Sequence, residues 1–315
     1  MKVLSLPMGA DTGGVTASNM RAFDGEEGWE YRAIISTLNF ISYDRDMAWT
    51  ADAVTTFWQW ADVIHLHHSM VAVERLRHGW KGFRLPHRPY VVEFHGTGFR
   101  ENPSPYLAEM RRHRALGIVS TLDLYLLAPT AVQWIPCPVN VSAMQTRADP
   151  IEDDVIRIAH APTNRQIKST EALLLAVKRL QDEGHAIELD LIEGVTWDEC
   201  LDRKAKADIY FDQVLLGYGN NAIEAWGMGI PVIAGAAPAT LAEMERRFGT
   251  LPFYNATEDT IYESVKVMVT DPEARAEYAA KGLAHVRRFH DEKVVVEQLK
   301  DIYQRAAQQG RRRAA

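Results

Sequence analysis

Two basic side chains lie three residues apart in the segment HAPTNRQIKST, residues 160–170. Arg165 and Lys168 follow a short apolar run and precede an apolar-periodic segment that begins near Ser169, so we place them in a loop between a strand and a helix. Both can face one anion, and the amino end of the helix adds positive potential there. The pattern predicts a phosphate or diphosphate site; two solvated loop cations are the alternative.

A glycine-rich turn leads into another predicted helix in GYGNNAIEAWGMGIPVIAG, residues 217–235. Gly217 and Gly219 lack a Cβ atom, so the backbone can approach a ligand closely. Asn220 or Asn221 can cap the helix that follows. The turn therefore predicts a second ligand-binding segment.

One acidic residue, Glu224, follows this turn, and we expect it in the first turn of the helix. The free N–H groups of residues 220–223 are expected to face the same ligand as Arg165 and Lys168. A carboxylate is a bidentate acceptor that suits paired ribose hydroxyls. The alternative role of Glu224, an interaction with the helix dipole alone, does not explain why glycines, asparagines and an acid occur together.

A third glycine-rich segment, GADTGGVTASNM at residues 9–20, follows the first predicted strand. Gly13 and Gly14 allow a ligand to approach the amino end of the next helix. The spacing differs from the G-x-G-x-x-G of dinucleotide-binding proteins, so a tight strand-to-helix turn is an equal alternative.

Histidines end two neighbouring predicted strands, in HLHH at residues 65–68 and in FHGTG at residues 94–98. They could bind a metal ion, but no carboxylate stands at a matching ligand spacing, so we expect no metal site. His95 follows a strongly apolar strand and precedes two glycines. We expect it to face a cleft and to donate a hydrogen bond to a sugar hydroxyl or to developing charge.

Short apolar runs alternate with turn or helix-like segments, which predicts two doubly wound α/β units with parallel sheets. The predicted strands are residues 2–8, 31–37, 62–67, 90–96, 117–121, 155–162, 187–194, 207–213, 231–235 and 251–256, with an extended piece at 132–139. A helix begins near Ser169, where Ser169 or Thr170 can cap it. Further predicted helices are residues 196–206, the segment after Asn221, and residues 257–270, 272–288 and 291–309.

A polar, acidic segment, SAMQTRADPIEDD at residues 142–154, is the best linker candidate. We expect one domain at residues 1–145 and a second at 146–290. Residues 291–315 are expected to form a helix that can pack back on the first domain, and a basic tail. Two such domains leave a cleft between the carboxyl ends of their sheets, where open α/β sheets bind ligands.

The 315 residues are 47% apolar and 24% charged, with a net charge of −7. This composition is that of a soluble globular protein, and the charge disfavours nucleic-acid partners. Cys137 and Cys200 lie far apart, which indicates a reducing compartment without a disulfide framework. We see neither a signal peptide nor an apolar run of membrane-spanning length, and expect a cytoplasmic protein.

These motifs resemble those of GT-B fold glycosyltransferases, in particular the family 4 retaining enzymes. The donor-binding motif of that family ends in a glycine-rich turn, Glu-Ala, a small or apolar pair and Gly-x-Pro-Val, which is similar to residues 217–235 here. ADVIHLHH, FHGTG and WIPCPVNV resemble its first domain, and HAPTNRQIKSTEALLLAVKRL resembles its phosphate loop and following helix. The resemblance covers about residues 1–290 and is most specific at 207–235.

The resemblance implies a nucleotide-sugar donor bound by the second domain, and an acceptor bound by the first. Arg165 and Lys168 would hold the donor diphosphate and stabilise it as the leaving group. Gly219, Asn220 and Asn221 would contact the sugar or phosphate through their backbone.

The remaining candidate residues also take their roles from the resemblance. Glu224 would bind the ribose of the nucleotide, and His95 would lie near the reacting side of the sugar. Gly13 and Gly14 would border the acceptor and the donor pyrophosphate. No metal or other cofactor is implied.

The chain departs from the family at one acidic position. The family usually has two glutamates eight positions apart, and eight residues before Glu224 stands Leu216. Asp212 could replace the missing acid if the loop folds back. The phosphate loop also lacks the family's Lys-Gly pair, since Ser169 follows Lys168.

The function we expect is transfer of a sugar from a UDP- or GDP-sugar to an acceptor, with retention of configuration and without a metal. The acceptor could be a glycan, a lipid-linked sugar, a small molecule or modified DNA. Three alternatives remain open: a nucleotide-sugar epimerase or phosphorylase on the same fold, a catalytically inactive nucleotide-binding protein, and a metal hydrolase using His65, His67, His68 and His95.

Overall fold

The computed structural model describes residues 1–7, 12–35, 43, 46–68 and 86–314. The chain divides into two compact units. The first unit comprises Met1–Pro138 together with Lys293–Ala315, and the second comprises Val139–Glu292. Each unit is built around its own sheet, with helices connecting the strands.

The first unit contains a parallel sheet with the strand order β3-β2-β1-β4-β5-β6-β7. Its described strands are β1 Lys2–Leu6, β2 Glu30–Ile35, β3 Met47–Ala48, β4 Val63–His67, β5 Tyr90–Phe94, β6 Leu116–Val119 and β7 Val132–Trp134. β4 and β5 are buried along their whole length, as strands covered on both faces must be. The chain order reverses between β1 and β4, which makes their carboxyl ends the switch point of the sheet.

Helices cover both faces of this sheet. They are α1 Val15–Ala22, α2 Ala51–Trp60, α3 Gly96–Glu101, α4 Pro103–His113, α5 Leu122–Leu127 and the C-terminal helix, which is numbered last below. The apolar stripe Val295, Leu299 and Tyr303 of that last helix packs against Val3 and Val63 of the sheet. The C-terminal helix is therefore part of the first unit's core.

The second unit contains a six-stranded sheet with the order β11-β12-β10-β8-β9, and β13 pairs with β12. Its strands are β8 Ile156–His160, β9 Ile187–Leu191, β10 Ile209–Phe211, β11 Leu216–Gly217, β12 Val232–Ala236 and β13 Tyr254–Asn255. All described pairs are parallel except β11 with β12, which are antiparallel. The chain order reverses at β8, so the switch point lies at the carboxyl ends of β8 and β10.

The helices of the second unit are α6 Val141–Arg147, α7 Thr170–Asp182, α8 Trp197–Lys204, α9 Asn220–Gly227, α10 Pro238–Phe248, α11 Ile261–Thr270 and α12 Pro272–His285. A π-helical turn, Val286–His290, follows α12, and α13 Glu292–Ala314 is the C-terminal helix. Helix α6 falls within the predicted linker: a Cβ atom on Gly227 would lie 2.8 Å from Cβ of Met144, so α6 packs directly on α9. The linker prediction was wrong for residues 142–147, because Met144 of the polar stretch is buried together with Val141, which directly precedes that stretch.

Candidate functional site

The switch point of the second unit brings the predicted phosphate loop beside the segment that follows β10. Lys168 of the loop forms an ion pair with Asp212, whose side chain is completely buried. The other carboxylate oxygen of Asp212 accepts a hydrogen bond from the backbone N–H of Gly219, with a distance of 2.6 Å. One carboxylate thus holds Lys168 and the glycine-rich turn together. The sequence of either segment alone does not reveal this contact.

The loop after β8 is closed by its own hydrogen bonds. The N–H of Lys168 donates to the carbonyl of Asn164 at 3.0 Å, and the N–H of Thr170 donates to that of Arg165 at 3.0 Å. Ser169 has a φ of +51°, the left-handed conformation that favours glycine. Although the family's glycine is absent, the backbone makes the left-handed turn directly after Lys168.

The prediction that the side chain of Ser169 or Thr170 caps α7 was wrong. Ser169 occupies the N-cap position, but its side chain makes no capping hydrogen bond, because the left-handed backbone turns it away. Thr170 Oγ1 instead bonds His160 Nε2 at 2.8 Å, and His160 Nδ1–H donates to the carbonyl of Phe211 at 2.8 Å. Burial lowers the pKa of His160 to about 4, so the neutral imidazole links β8, β10 and α7.

Arg165 lies in the same loop but is paired with carboxylates. Its guanidinium donates to Glu193 at 2.6 and 2.9 Å and to Glu171 at 3.2 Å. The Arg165 side chain is 47% exposed. Because exposed ion pairs are weakly held, a diphosphate can exchange with these carboxylates at little cost.

Helix α9 begins at Asn220, whereas a cap by Asn220 would make it begin at Asn221. Gly219 is the N-cap residue, and no side chain caps the helix, so the prediction that Asn220 or Asn221 caps it was wrong. The N–H groups of residues 222 and 223 donate to the carbonyl of Gly219 and are not available to a ligand. Asn221 instead donates from Nδ2 to the carbonyl of Ala161 at 3.2 Å, which ties α9 to the end of β8.

Glu224 lies in the second turn of α9, not the first, because the helix starts at Asn220. It is 8% exposed. Its Oε1 accepts a hydrogen bond from Trp197 Nε1 at 2.8 Å, and its Oε2 accepts one from Lys204 Nζ at 2.6 Å. Each oxygen keeps a second lone pair for a ligand hydroxyl.

Lys204 is one of the site residues that the sequence analysis missed. It is completely buried and also donates to Asn221 Oδ1 at 2.9 Å. Burial alone would lower the pKa of Lys204, but the neighbouring Glu224 carboxylate reverses this and raises it, so the ammonium is retained. The available signal was the spacing of Trp197, Leu201 and Lys204, which places them on one face of α8.

Tyr218, between the two glycines of the turn, contacts the end of the second unit's helical region. Its hydroxyl lies 3.1 Å from Nε2 of both His285 and His290. Because the hydroxyl has one hydrogen, it donates to one imidazole and accepts from the other. The end of α12 and the π-helical turn Val286–His290 therefore hold Tyr218, and with it the glycine-rich turn, in place.

In the first unit, the predicted N-terminal glycines both adopt left-handed conformations. Gly13 has a φ of +63° and Gly14 of +71°, and the 3₁₀ turn Thr12–Gly14 leads into α1. A Cβ atom on Gly14 would lie 2.6 Å from a ring carbon of Tyr43. Residues 9–11 of the predicted segment lie outside the described residues.

The histidines at the ends of β4 and β5 form one buried cluster. His95 Nε2 lies 3.1 Å from His67 Nδ1, and burial lowers the pKa of His95 to about 4, so its imidazole is neutral. The expectation that no carboxylate accompanies them was wrong. Glu93, which is in register with His67 on the adjacent strand, lies 3.8 Å from His95 Nε2.

The structure therefore brings the predicted residues together in two groups. In the second unit, Lys168 and Gly219 meet at Asp212, while Asn221 and Glu224 meet at Lys204. In the first unit, His95 joins the buried histidine cluster. Leu216 lies in β11 and pairs with Ala236 of β12. The sequence analysis did not predict β11, which spans two residues.

No protein-family model matches the sequence, and no curated protein sequence is significantly similar to it. Solved structures match nearly the whole chain. A glycosyltransferase from Rickettsia africae ESF-5 has a TM-score of 0.63 at 12% identity, over 97% of this chain and 98% of its own. Anabaena Alr3699/HepE, in complex with UDP and glucose, has a TM-score of 0.64 at 12% identity, over 96% and 98%.

A UDP-N-acetylglucosamine 2-epimerase also matches, with a TM-score of 0.52 at 14% identity over 94% of this chain and 93% of its own. At these identities the similarity shows the fold alone. The predicted fold class is confirmed: the chain has the GT-B fold, with two Rossmann-like α/β units. Within the described residues, no helix is long and apolar enough to cross a membrane.

Proposed function

We propose that the chain is a retaining glycosyltransferase that takes its sugar from a nucleotide-diphosphate donor, a UDP- or GDP-sugar. The observation that carries the proposal is the junction of Lys168, Asp212 and Gly219 at the switch point of the second unit, where open α/β sheets bind ligands. The fold that this chain shares with glycosyltransferases supports it.

The donor diphosphate carries two negative charges and gains a third as its bond to the sugar breaks, so it needs positive charge fixed in place before that step. The Lys168 ammonium has three hydrogens, so it can donate to the diphosphate while Asp212 holds its position. Arg165 adds a second cation once it exchanges from Glu193 and Glu171. In this proposal two protein cations do what a divalent ion does elsewhere, and the transfer needs no metal.

Glu224 is proposed to accept hydrogen bonds from the ribose hydroxyls of the donor. Trp197 and Lys204 fix its carboxylate from the protein side, so its free lone pairs keep one orientation. His95, whose imidazole is neutral, is proposed to donate to the sugar during transfer. Gly13, Gly14, Gly219, Asn220 and Asn221 are proposed to border the donor through their backbone.

The test is turnover of UDP- and GDP-sugars by the purified chain, followed as release of the nucleoside diphosphate and as glycosylated product. Lys168→Ala and Arg165→Ala should each lose most activity, whereas Lys178→Ala should not. Lys178 is the matched control, since it is an exposed lysine of α7 that pairs with Asp182 on the same helix. Full activity of either loop variant overturns the assignment of the diphosphate site.

Specific observations favour two other candidate functions. The similarity to a UDP-N-acetylglucosamine 2-epimerase favours an epimerase on the same fold, which would release nucleotide without an acceptor product. The position of Leu216, where the family has an acid, favours a nucleotide-binding protein without transfer activity. Tight binding of nucleotide with no turnover of any donor would select that function.

A further inference from the structure

A fully buried cluster in the first unit has the geometry of a metal site. His65 and His67 lie two residues apart on β4, so both side chains project from the same face of the sheet. Glu93 is the register partner of His67 on β5 and projects beside them. All three side chains are at most 3% exposed.

The outer nitrogen of each imidazole is held by hydroxyl groups. His65 Nδ1 lies 2.9 Å from the hydroxyl of Tyr303, on the C-terminal helix. His67 Nε2 lies 2.9 Å from Oγ of Ser5 and 3.4 Å from Oγ1 of Thr16. Such hydrogen bonds fix the tautomer and the ring orientation of histidines that bind metals. They leave His65 Nε2 and His67 Nδ1 directed inward.

The inward atoms are spaced as ligands of one ion. His65 Nε2 lies 3.4 Å and His67 Nδ1 lies 3.9 Å from Oε2 of Glu93, and one ligand atom from each residue lies within 4.8 Å of the others. Bonds of about 2.0–2.2 Å in a tetrahedral shell separate neighbouring ligand atoms by about 3.3–3.6 Å. The His65–Glu93 pair already has that spacing and the His67–Glu93 pair needs a shift of a few tenths of an ångström, while the two imidazoles need to approach each other by at most about 1 Å.

Without a cation, one nitrogen of the cluster lacks a hydrogen bond in the described part of the chain, and the carboxylate, which Ser120 also bonds, lacks a cationic partner. His65 Nε2 is buried and has no hydrogen-bond partner among the described residues, although it lies 3.4 Å from Oε2 of Glu93. The Glu93 carboxylate is buried, and in the described part of the chain its ion-pair contacts are imidazoles only, with no lysine or arginine. A buried carboxylate without a cationic partner is costly, and a divalent ion would supply both missing interactions.

We propose that His65, His67 and Glu93 bind one Zn²⁺ ion. Two imidazoles and a carboxylate are a ligand set of zinc sites that keep an open fourth position. His95 borders that position, with its Nε2 3.1 Å from His67 Nδ1. The ion replaces the hydrogen bond between these two histidines. The site lies in the first unit and is separate from the proposed diphosphate site, so it goes beyond the proposed function.

The experiment measures zinc by mass spectrometry in the full chain, after removal of metal with EDTA, addition of Zn²⁺ and dialysis. We expect one Zn²⁺ per chain and a higher melting temperature than for the metal-free protein. His65→Ala and Glu93→Gln should lose stoichiometric zinc, while His185→Ala, a histidine of the second unit, should retain it. Tyr303→Phe should weaken zinc binding by about 10–100-fold, the usual effect of losing an orienting hydrogen bond.

A second measurement does not depend on whether the variants fold. The wild-type chain loaded with Co²⁺ should show the intense visible absorption of a four-coordinate site, and Zn²⁺ should displace it. The proposal is overturned if the wild type binds no more zinc than His65→Ala. It is also overturned if Glu93→Gln binds zinc like the wild type, since the Glu93 carboxylate is then not a ligand.

Discussion

Asp212 joins Lys168 to Gly219 in the second unit: one carboxylate oxygen pairs with the lysine and the other accepts the backbone N–H of the glycine-rich turn. Asp212 is completely buried and the Lys168 side chain is 14% exposed. The acid that the sequence analysis considered as a replacement for the family's sugar-binding glutamate thus has both oxygens occupied by protein. Its position is that of a residue that orients Lys168 and the loop after β8.

Asp212→Asn should destabilise the chain by about 3 kcal/mol, because it leaves the partly buried Lys168 ammonium without its counter-charge. The asparagine oxygen can still accept the hydrogen bond from the Gly219 N–H. The measured loss of stability therefore reports the missing charge alone. Urea unfolding measures the effect. Asp182→Asn, in an exposed pair with Lys178, is the matched control and should leave the midpoint nearly unchanged. Equal midpoints for the two variants would contradict the role of Asp212.

Lys204→Met should destabilise the chain by about 3–5 kcal/mol, because it leaves the Glu224 carboxylate buried without a cation. Adding Glu224→Gln to Lys204→Met should restore part of that loss, since the second change removes the unpaired charge. The unfolding free energies of the two single variants and the double variant form a cycle that measures the coupling. Additive losses would show that the two side chains do not interact.

Ser169→Gly should stabilise the chain by about 0.5–1 kcal/mol. The native φ of +51° strains a serine but not a glycine, and the buried Ser169 Oγ has no hydrogen-bond partner in the part of the chain that the structure describes. The melting temperature measures the gain. Ser142→Gly, on helix α6, is the opposite control and should destabilise, since its backbone is helical. A lower melting temperature for Ser169→Gly would show that the serine hydroxyl is needed.

Stability should fall as the pH falls from about 6.5 to 4, in part through His160. Its pKa in the folded chain is about 4, whereas the unfolded imidazole titrates near 6.5. Between these values the unfolded chain binds a proton that the folded chain does not, so acid favours unfolding, by up to about 3 kcal/mol at pH 4.

His160→Gln removes this titration while keeping a donor for Phe211 and an acceptor for Thr170. As the pH is lowered, the unfolding free energy of the wild type should therefore fall more steeply than that of His160→Gln. Urea midpoints at pH 7.5, 6 and 4.5 suffice to measure it. Parallel curves for the two proteins would contradict a depressed pKa.

The sequence by itself predicted the two α/β units, because alternating apolar runs and amphipathic segments report burial along the chain. It also predicted where polar loops end the strands, as at Lys168 and at the glycine-rich turn. Local patterns carry this information, since each depends on neighbours within a few residues.

The partners of those polar groups were decided by the tertiary structure alone. Lys204 is 20 residues from Glu224 and Lys168 is 44 residues from Asp212, so no local pattern joins them. Glu93 meets His67 because β5 lies next to β4 in a particular register, which sequence spacing does not contain. Burial then makes each pairing obligatory, because a charge removed from water must find its partner inside the fold.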